Sequence, residues 1–465
     1  MQGQHENYRA GALLHMKRRN VDSALQAALA LALTFACCGR LRAEHAPAIL
    51  HEAAKLNHLG LDQLHKKEYD QAIASFRQAL QIQPEYPEAL DNLGKALEST
   101  GKDAEAIADF DKAIKIAPEN AAAYADKGLA LFHEGNYDEA AACYRLAIEH
   151  HKNFSEAQNG LGASLLHLGK KEEAVAAFQS AIASNPKNAH AQGNLGSALL
   201  AENKPEDALP YLRKAHSLRP DSPEALENYA LALEQAGQTN EAIAAYHKLA
   251  MKNPKQPGAW EHLGRLYAKT KKYDQAVSAY QKSLSLKPDE PEVLLALGQV
   301  QSEQGKLNEA IQSFEKCLAL QPDDFYATYN LGNAYYAQKD YAKAEPAFEK
   351  SYALRPDYAE SLVGLGASQL AANQYDKAAE TYQKLVPMKP DDPSVRFNLG
   401  TALFNAGKYP EAAASYREAI RLNPSLAHAH YNLAMSLLRL NDAKSAQAEF
   451  AEAQRLDSSL KPPTK

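Results

Sequence analysis

A spacing of 34 residues organises almost the whole chain. Counted from Ala53, twelve units of that length follow one another without insertion or deletion and close at Leu460. A fixed period of this size means that one small supersecondary unit is stacked on copies of itself. That excludes a single globular core and leaves little of the 465 residues for anything else.

Four positions of the unit carry the pattern. The eighth is glycine in most units, from Gly60 and Gly94 to Gly366 and Gly400, with Ala230 and Ala434 in the others. The twentieth is alanine throughout, from Ala72 to Ala446, with Ala310 in the eighth unit. The twenty-fourth is aromatic everywhere except at Leu212, and the thirty-second is proline except at Lys152 and Ser458. A glycine inside a helix costs about 1 kcal/mol against alanine, so its recurrence implies a close helix contact. Small residues at positions eight and twenty are expected to meet there. The aromatic residue is a large anchor toward the next unit. Proline cannot continue a helix and closes the second one. Glycines at position fifteen, such as Gly101 and Gly305, make the turn between two helices. Abundant alanine and few β-branched residues agree with helix.

These motifs resemble the tetratricopeptide repeat family, over 53–460. Unit seven has the fullest set: Trp260, Leu263, Gly264, Tyr267, Ala276, Tyr280 and Pro288. The resemblance implies an all-α fold, a right-handed α-solenoid superhelix of antiparallel helix pairs. First helices would line a concave groove that takes a peptide or a partner's helix. The array is also similar to the superhelical repeat region of protein O-GlcNAc transferases, but without a catalytic domain. Only 461–465 follow the last unit.

In this family positions two, five, six, nine, twelve and thirteen tend to face the groove. Here they vary while the packing positions do not. Asparagine recurs at position six, as Asn92, Asn194, Asn228, Asn330, Asn398 and Asn432. An amide both donates and accepts, so a ladder of them can hold a peptide backbone; local hydrogen bonding is the other reading. Middle units are acidic at these positions: Glu156, Glu224, Glu227, Glu234, Glu261 and Glu292. Units nine to twelve are apolar and aromatic: Tyr326, Tyr329, Tyr336, Val363, Leu370, Phe397, Phe404, Tyr431 and Leu438. Such side chains suit interface anchors. The expected site therefore comprises Tyr326, Tyr329, Asn330, Tyr336, Phe397, Asn398, Phe404, Tyr431 and Asn432. Relatives that hold a C-terminal carboxylate use lysines at positions two and five; no unit has one, which excludes that ligand class.

Chemistry of other kinds is not expected. There is no phosphate loop, zinc pattern or nucleophile elbow. His65, His133 and His167 share position thirteen in units one, three and four, but adjacent helix pairs lie about 10 Å apart, too far to share one ion. No metal, cofactor or small-molecule substrate is implied, and the chain reads as a non-enzyme. The net charge of −6 speaks against nucleic acid. Cys143 and Cys317 lie too far apart in the array for a disulfide.

Outside the repeats, Lys17-Arg18-Arg19 precedes an apolar run from Ala24 to Cys38. That is the pattern of a secretory signal. Residues 1–43 read as an N-terminal extension and signal peptide, with Met16 a possible start, and 44–52 as a lead-in. A cut after Ala43 removes six of 51 basic and two of 57 acidic residues, which brings the net charge to −10. A lipoprotein cut before Cys37, an uncleaved membrane anchor and a helix capping the first unit remain alternatives. The function expected is an exported, non-catalytic adaptor binding protein or peptide. The alternative is an oligomerising part of an envelope complex that self-associates through an uncapped C-terminal repeat. Intact-mass measurement of protein from its native cells should show a start near Glu44 in an exported fraction. Cytoplasmic protein that retains 24–38 would reject this reading.

Overall fold

The computed structural model describes residues 42–463. Among the described residues there are twenty-four helices and no strand. The apolar run Ala24–Cys38 lies outside them. The first helix spans Arg42–His65, so the lead-in 44–52 runs into unit one as helix. After that, first helices begin at position one and second helices at position seventeen, as in Phe325–Ala337 and Tyr341–Leu354. The fold is an all-α solenoid of antiparallel pairs.

The chain forms two compact halves, one ending at Ala232 and the other beginning at Leu233. Within each, packing follows the same rule. The two helices of a unit pack together, and the second helix packs on the first helix of the next unit. First helices of successive units also touch, as Phe325–Ala337 and Ala359–Ala371 do. Second helices of neighbouring units make no comparable approach among the described residues. The first-helix face is therefore the tighter one.

The glycines at position eight serve a purpose other than the one expected. A Cβ at Gly94 would stand 2.5 Å from the Phe110 ring, and one at Gly298 the same distance from Phe314. Position eight makes room for the position-24 ring of its own unit, not for the alanine at position twenty. The ring also reaches the following unit. A Cβ at Gly160 would lie 2.3 Å from Tyr144, and one at Gly364 2.5 Å from Phe348. The position-twenty alanines are all fully buried.

Position fifteen has a left-handed backbone in every unit. Gly101, Gly135, Gly169, Gly237, Gly305 and Gly407 have φ between 72° and 82°; Lys67, Asn203, Lys271, Lys339, Asn373 and Asn441 have φ between 58° and 64°. The turn geometry is thus constant even where the glycine is missing. Asparagine tolerates that region and lysine pays about 1 kcal/mol or more.

The last helix, Ala443–Leu456, differs from its counterparts. At positions 21 and 28 other units place residues such as Ile73, Ile311, Leu80 and Ile420, which pack on the next unit. Unit twelve has Gln447 and Gln454, both exposed. At this end polar side chains stand where most other units have apolar ones.

Ala310 is fully buried in the core of the second half with Ile311, Phe314 and Phe348. Ala310→Trp should cost about 1–3 kcal/mol or more by overpacking. Thermal melting followed by circular dichroism would show it; a wild-type curve would refute the packing assignment.

Candidate functional site

The second half presents the aromatic residues at two depths. Tyr326, Tyr336, Val363 and Leu438 are exposed, Tyr326 by 50%. Tyr329, Leu370, Phe397, Phe404 and Tyr431 are half-buried and lean on the core. The cause is the position-24 ring. Tyr329 meets Phe348 edge-on at 5.9 Å, Phe397 is tilted against Tyr416 at 5.8 Å, and Tyr431 meets Phe450 at 5.3 Å. Position five thus shares its ring between surface and core. Position twelve packs on another partner: Tyr336 is tilted against Tyr341 at 5.5 Å and Phe404 meets Tyr409 edge-on at 5.4 Å, both partners at position seventeen. Tyr326 is fixed by Arg355, whose guanidinium lies over its ring at 4.9 Å and over Phe325 at 4.4 Å. The same guanidinium donates to the Tyr326 hydroxyl at 3.3 Å.

The asparagines divide into two kinds. Asn92 donates to Asn57 at 3.0 Å and Asn194 to Asn159 at 2.9 Å. In both cases the acceptor is position five of the preceding unit, so these amides are partly spent on the fold. Asn432 faces the Tyr416 hydroxyl. At Asn330 and Asn398 position five of the preceding unit is Leu295 or Val363, which cannot bond. Their half-buried amides make no side-chain hydrogen bond among the described residues. Asn228 borders a hollow between units five and six.

Two of the three position-thirteen histidines have local partners. His167 stacks on Tyr137 at 4.3 Å, and Nδ1 of His133 lies 3.4 Å from a Glu98 carboxylate oxygen. His65 is exposed. Cys143 and Cys317 are buried free thiols. Among the acidic residues of the middle units, Glu234 accepts from Arg265 Nε at 3.0 Å and lies 2.8 Å from His262 Nδ1. Burial opposes ionisation, but the His262 hydrogen bond and the Arg265 charge hold its carboxyl below the usual range.

One cluster escaped the sequence reading. In units two and three, Lys95 reaches Asp91 at 2.7 Å and Asp126 at 3.0 Å, with Glu98 beside them. All four occupy positions five, nine, twelve or six, so spacing alone could have joined them. Burial, then the neighbouring Asp126 and Asp103, push Glu98 up to about 7 against the pull of Lys95. Burial and Asp91 raise Asp126 to about 6, again opposed by Lys95.

Several tetratricopeptide models match the chain. Those described as "Tetratricopeptide repeat" cover 132–256, 335–399, 87–120 and 427–460, and one described as "TPR repeat" covers 64–101 and 400–441. The chain is a tetratricopeptide repeat protein. Residues 250–350 match the model of the cytochrome c-type biogenesis protein H TPR domain. These matches establish the repeat family, not the closer likeness to O-GlcNAc transferases. No curated protein sequence matches the chain. Among solved structures it is similar to YrrB, titled a TPR protein with an unusual peptide-binding site: 26% identity, 40% of this chain, 96% of that one, TM-score 0.38. It is similar to MamA from Desulfovibrio magneticus RS-1 at 23% identity, covering 37% of this chain and 97% of that one, with a TM-score of 0.35. The APC/C hetero-tetramer Cut9–Hcn1 matches over 88% of this chain and 94% of its own, at 16% identity and a TM-score of 0.35. Family membership supports a protein-interaction scaffold.

Because folding raises the Glu98 and Asp126 pKa values, the folded state binds their protons more tightly. That stabilisation is full below their ordinary values near 4 and is lost as pH rises through about 6 to 7. Glu98→Gln should therefore flatten the fall in melting temperature between about pH 4.5 and 7. It should also raise stability at pH 8. An unchanged slope would assign the titration to other groups.

Proposed function

We propose that this protein is an exported scaffold that holds a partner's neutral, apolar segment on the first-helix face of units nine to twelve. The observation that carries the reading is the paired aromatic surface. Positions five and twelve lie two helical turns apart on one face. Tyr329 with Tyr336, and Phe397 with Phe404, repeat that pair in units nine and eleven. The pair in unit twelve is Tyr431 with Leu438. Few charges interrupt them, and the amides of Asn330 and Asn398 lie alongside. Rings of this kind anchor interfaces, and amides can hold backbone without reading side chains. Export is supported by the basic cluster and apolar run near the N-terminus.

Tyr326→Ala combined with Tyr336→Ala removes exposed rings with little packing loss. Binding of a partner captured from an envelope extract should weaken more than about tenfold, since anchor residues commonly contribute ~2 kcal/mol each. Helicity and melting should be unchanged. Tyr329→Ala with Phe397→Ala should weaken binding too, but with a loss of stability, because those rings also lean on Phe348 and Tyr416. Undiminished binding by both pairs would place the site elsewhere, most directly along the asparagines of units five and six.

A further inference from the structure

Unit five departs from the repeat at two positions that meet in space. Position 24 is Leu212, where every other unit has a ring, and position five is Gly193, the sole glycine at that position. In units nine, eleven and twelve these two positions are filled by a pair of rings in contact: Tyr329 with Phe348, Phe397 with Tyr416, Tyr431 with Phe450. Unit five has neither ring. A hollow of about 350 Å³ lies there, between the first helices of units five and six. Leu212 is fully buried beneath its floor. A Cβ placed on Gly193 would meet only the Ala215 Cβ, at 3.8 Å. The place of the position-five side chain is therefore open space.

The rim of the hollow is polar. Arg219, His190, Asn194 and Asn228 border it. The Arg219 guanidinium is shared loosely, 3.4 Å from His190 Nδ1 and 3.8 Å from the exposed Glu224. It thus retains capacity to face a π-system. Asn194 donates one amide proton to Asn159 at 2.9 Å.

We propose that this hollow is a receptor pocket for an aromatic side chain, tyrosine foremost, carried on a partner polypeptide. The incoming ring takes the place that the Tyr329, Phe397 and Tyr431 rings take in their own units. It lies over Leu212 and Ala215, with Arg219 against its face or hydroxyl and the asparagines beside its backbone. A single side chain of tyrosine size fits the volume, and the apolar floor with a polar rim matches a ring that ends in a hydroxyl. The pocket lies in the first half of the chain and does not depend on the aromatic surface proposed above.

The test uses the full chain with acetyl-Ala-Tyr-Ala-amide as probe and acetyl-Ala-Leu-Ala-amide as control. Saturation-transfer NMR should show transfer to the tyrosine ring protons, and titration should give weaker binding for the leucine peptide. Gly193→Leu places a side chain in the hollow and replaces a mid-helix glycine by a better helix former, so the fold should hold. It should lower affinity for the tyrosine peptide by about tenfold or more, the loss expected on excluding one ring. Arg219→Gln should reduce it less. Tyr326→Ala with Tyr336→Ala should leave it unchanged, which separates this pocket from the other surface. The proposal is overturned if the wild-type chain gives no transfer, if the two peptides bind equally, or if Gly193→Leu binds as well as wild type.

Discussion

Everything in this array depends on one contact: the ring at position 24 lying over the glycine at position eight. The ring is buried between the two helices of its unit and reaches the first helix of the next, so a single side chain ties three helices together. Its demands explain the rest of the pattern. The glycine has no Cβ because the ring lies 2.5 to 3.0 Å from where it would be. Position six of the following unit is glycine at Gly160 and Gly364, where a Cβ would lie 2.3 and 2.5 Å from the ring. Position five either adds a second ring to it or leaves it covered by smaller groups. A solenoid is a sum of such neighbour contacts, and this one is repeated with little change.

That economy is why the fold could be read from the sequence. Period, alanine, ring and proline each answer a packing demand that recurs in every unit, so the signal adds up along the chain. The reading went wrong where two demands look alike in a sequence. Small residues at positions eight and twenty suggested that they meet, whereas glycine yields to the ring and alanine is buried elsewhere. The same ambiguity runs through the candidate site. Tyr329 and Phe397 are large and apolar at positions that face outward by helix geometry, and the sequence cannot say that each also leans on a ring of its own unit. Asparagine at position six likewise has the same name in every unit. Its role depends on position five of the unit before, with Asn57 and Asn159 taking up Asn92 and Asn194 while Leu295 and Val363 leave Asn330 and Asn398 open.

Charge shows the same dependence on neighbours. Position twelve is glutamate in units two and six, as Glu98 and Glu234. Beside Glu234 the next unit supplies His262 and Arg265, and the carboxyl is held below its usual range. Beside Glu98 the next unit supplies Asp126, and Leu129 stands where Arg265 stands later. Lys95 faces both Asp91 and Asp126, and Glu98 is pushed up to about 7. One residue type at one repeat position is thus charged in one unit and near its titration midpoint in another. The backbone is the same in both. The difference comes from side chains contributed by the next unit.

A repeat array specialises by changing side chains that the packing does not use, which makes departures from the consensus informative in proportion to how seldom they occur. Substitutions at positions two or thirteen are frequent and say little singly. Loss of the ring at position 24 happens once, at Leu212, although that ring is the contact on which stacking rests. Unit five nevertheless keeps its neighbours: Leu212 stays fully buried, and a Cβ on Gly196 would lie 2.4 Å from its Cγ, so the leucine has moved into the place of the ring against position eight. What it cannot fill is the outer part of that volume, toward position five, where the chain has glycine as well. The two departures together turn a packing deficit into a hollow open to the first-helix face. Either one alone would have been covered by the other side chain. Their coincidence in one unit ties the geometry of the hollow to the sequence of that unit and not to the solenoid as such.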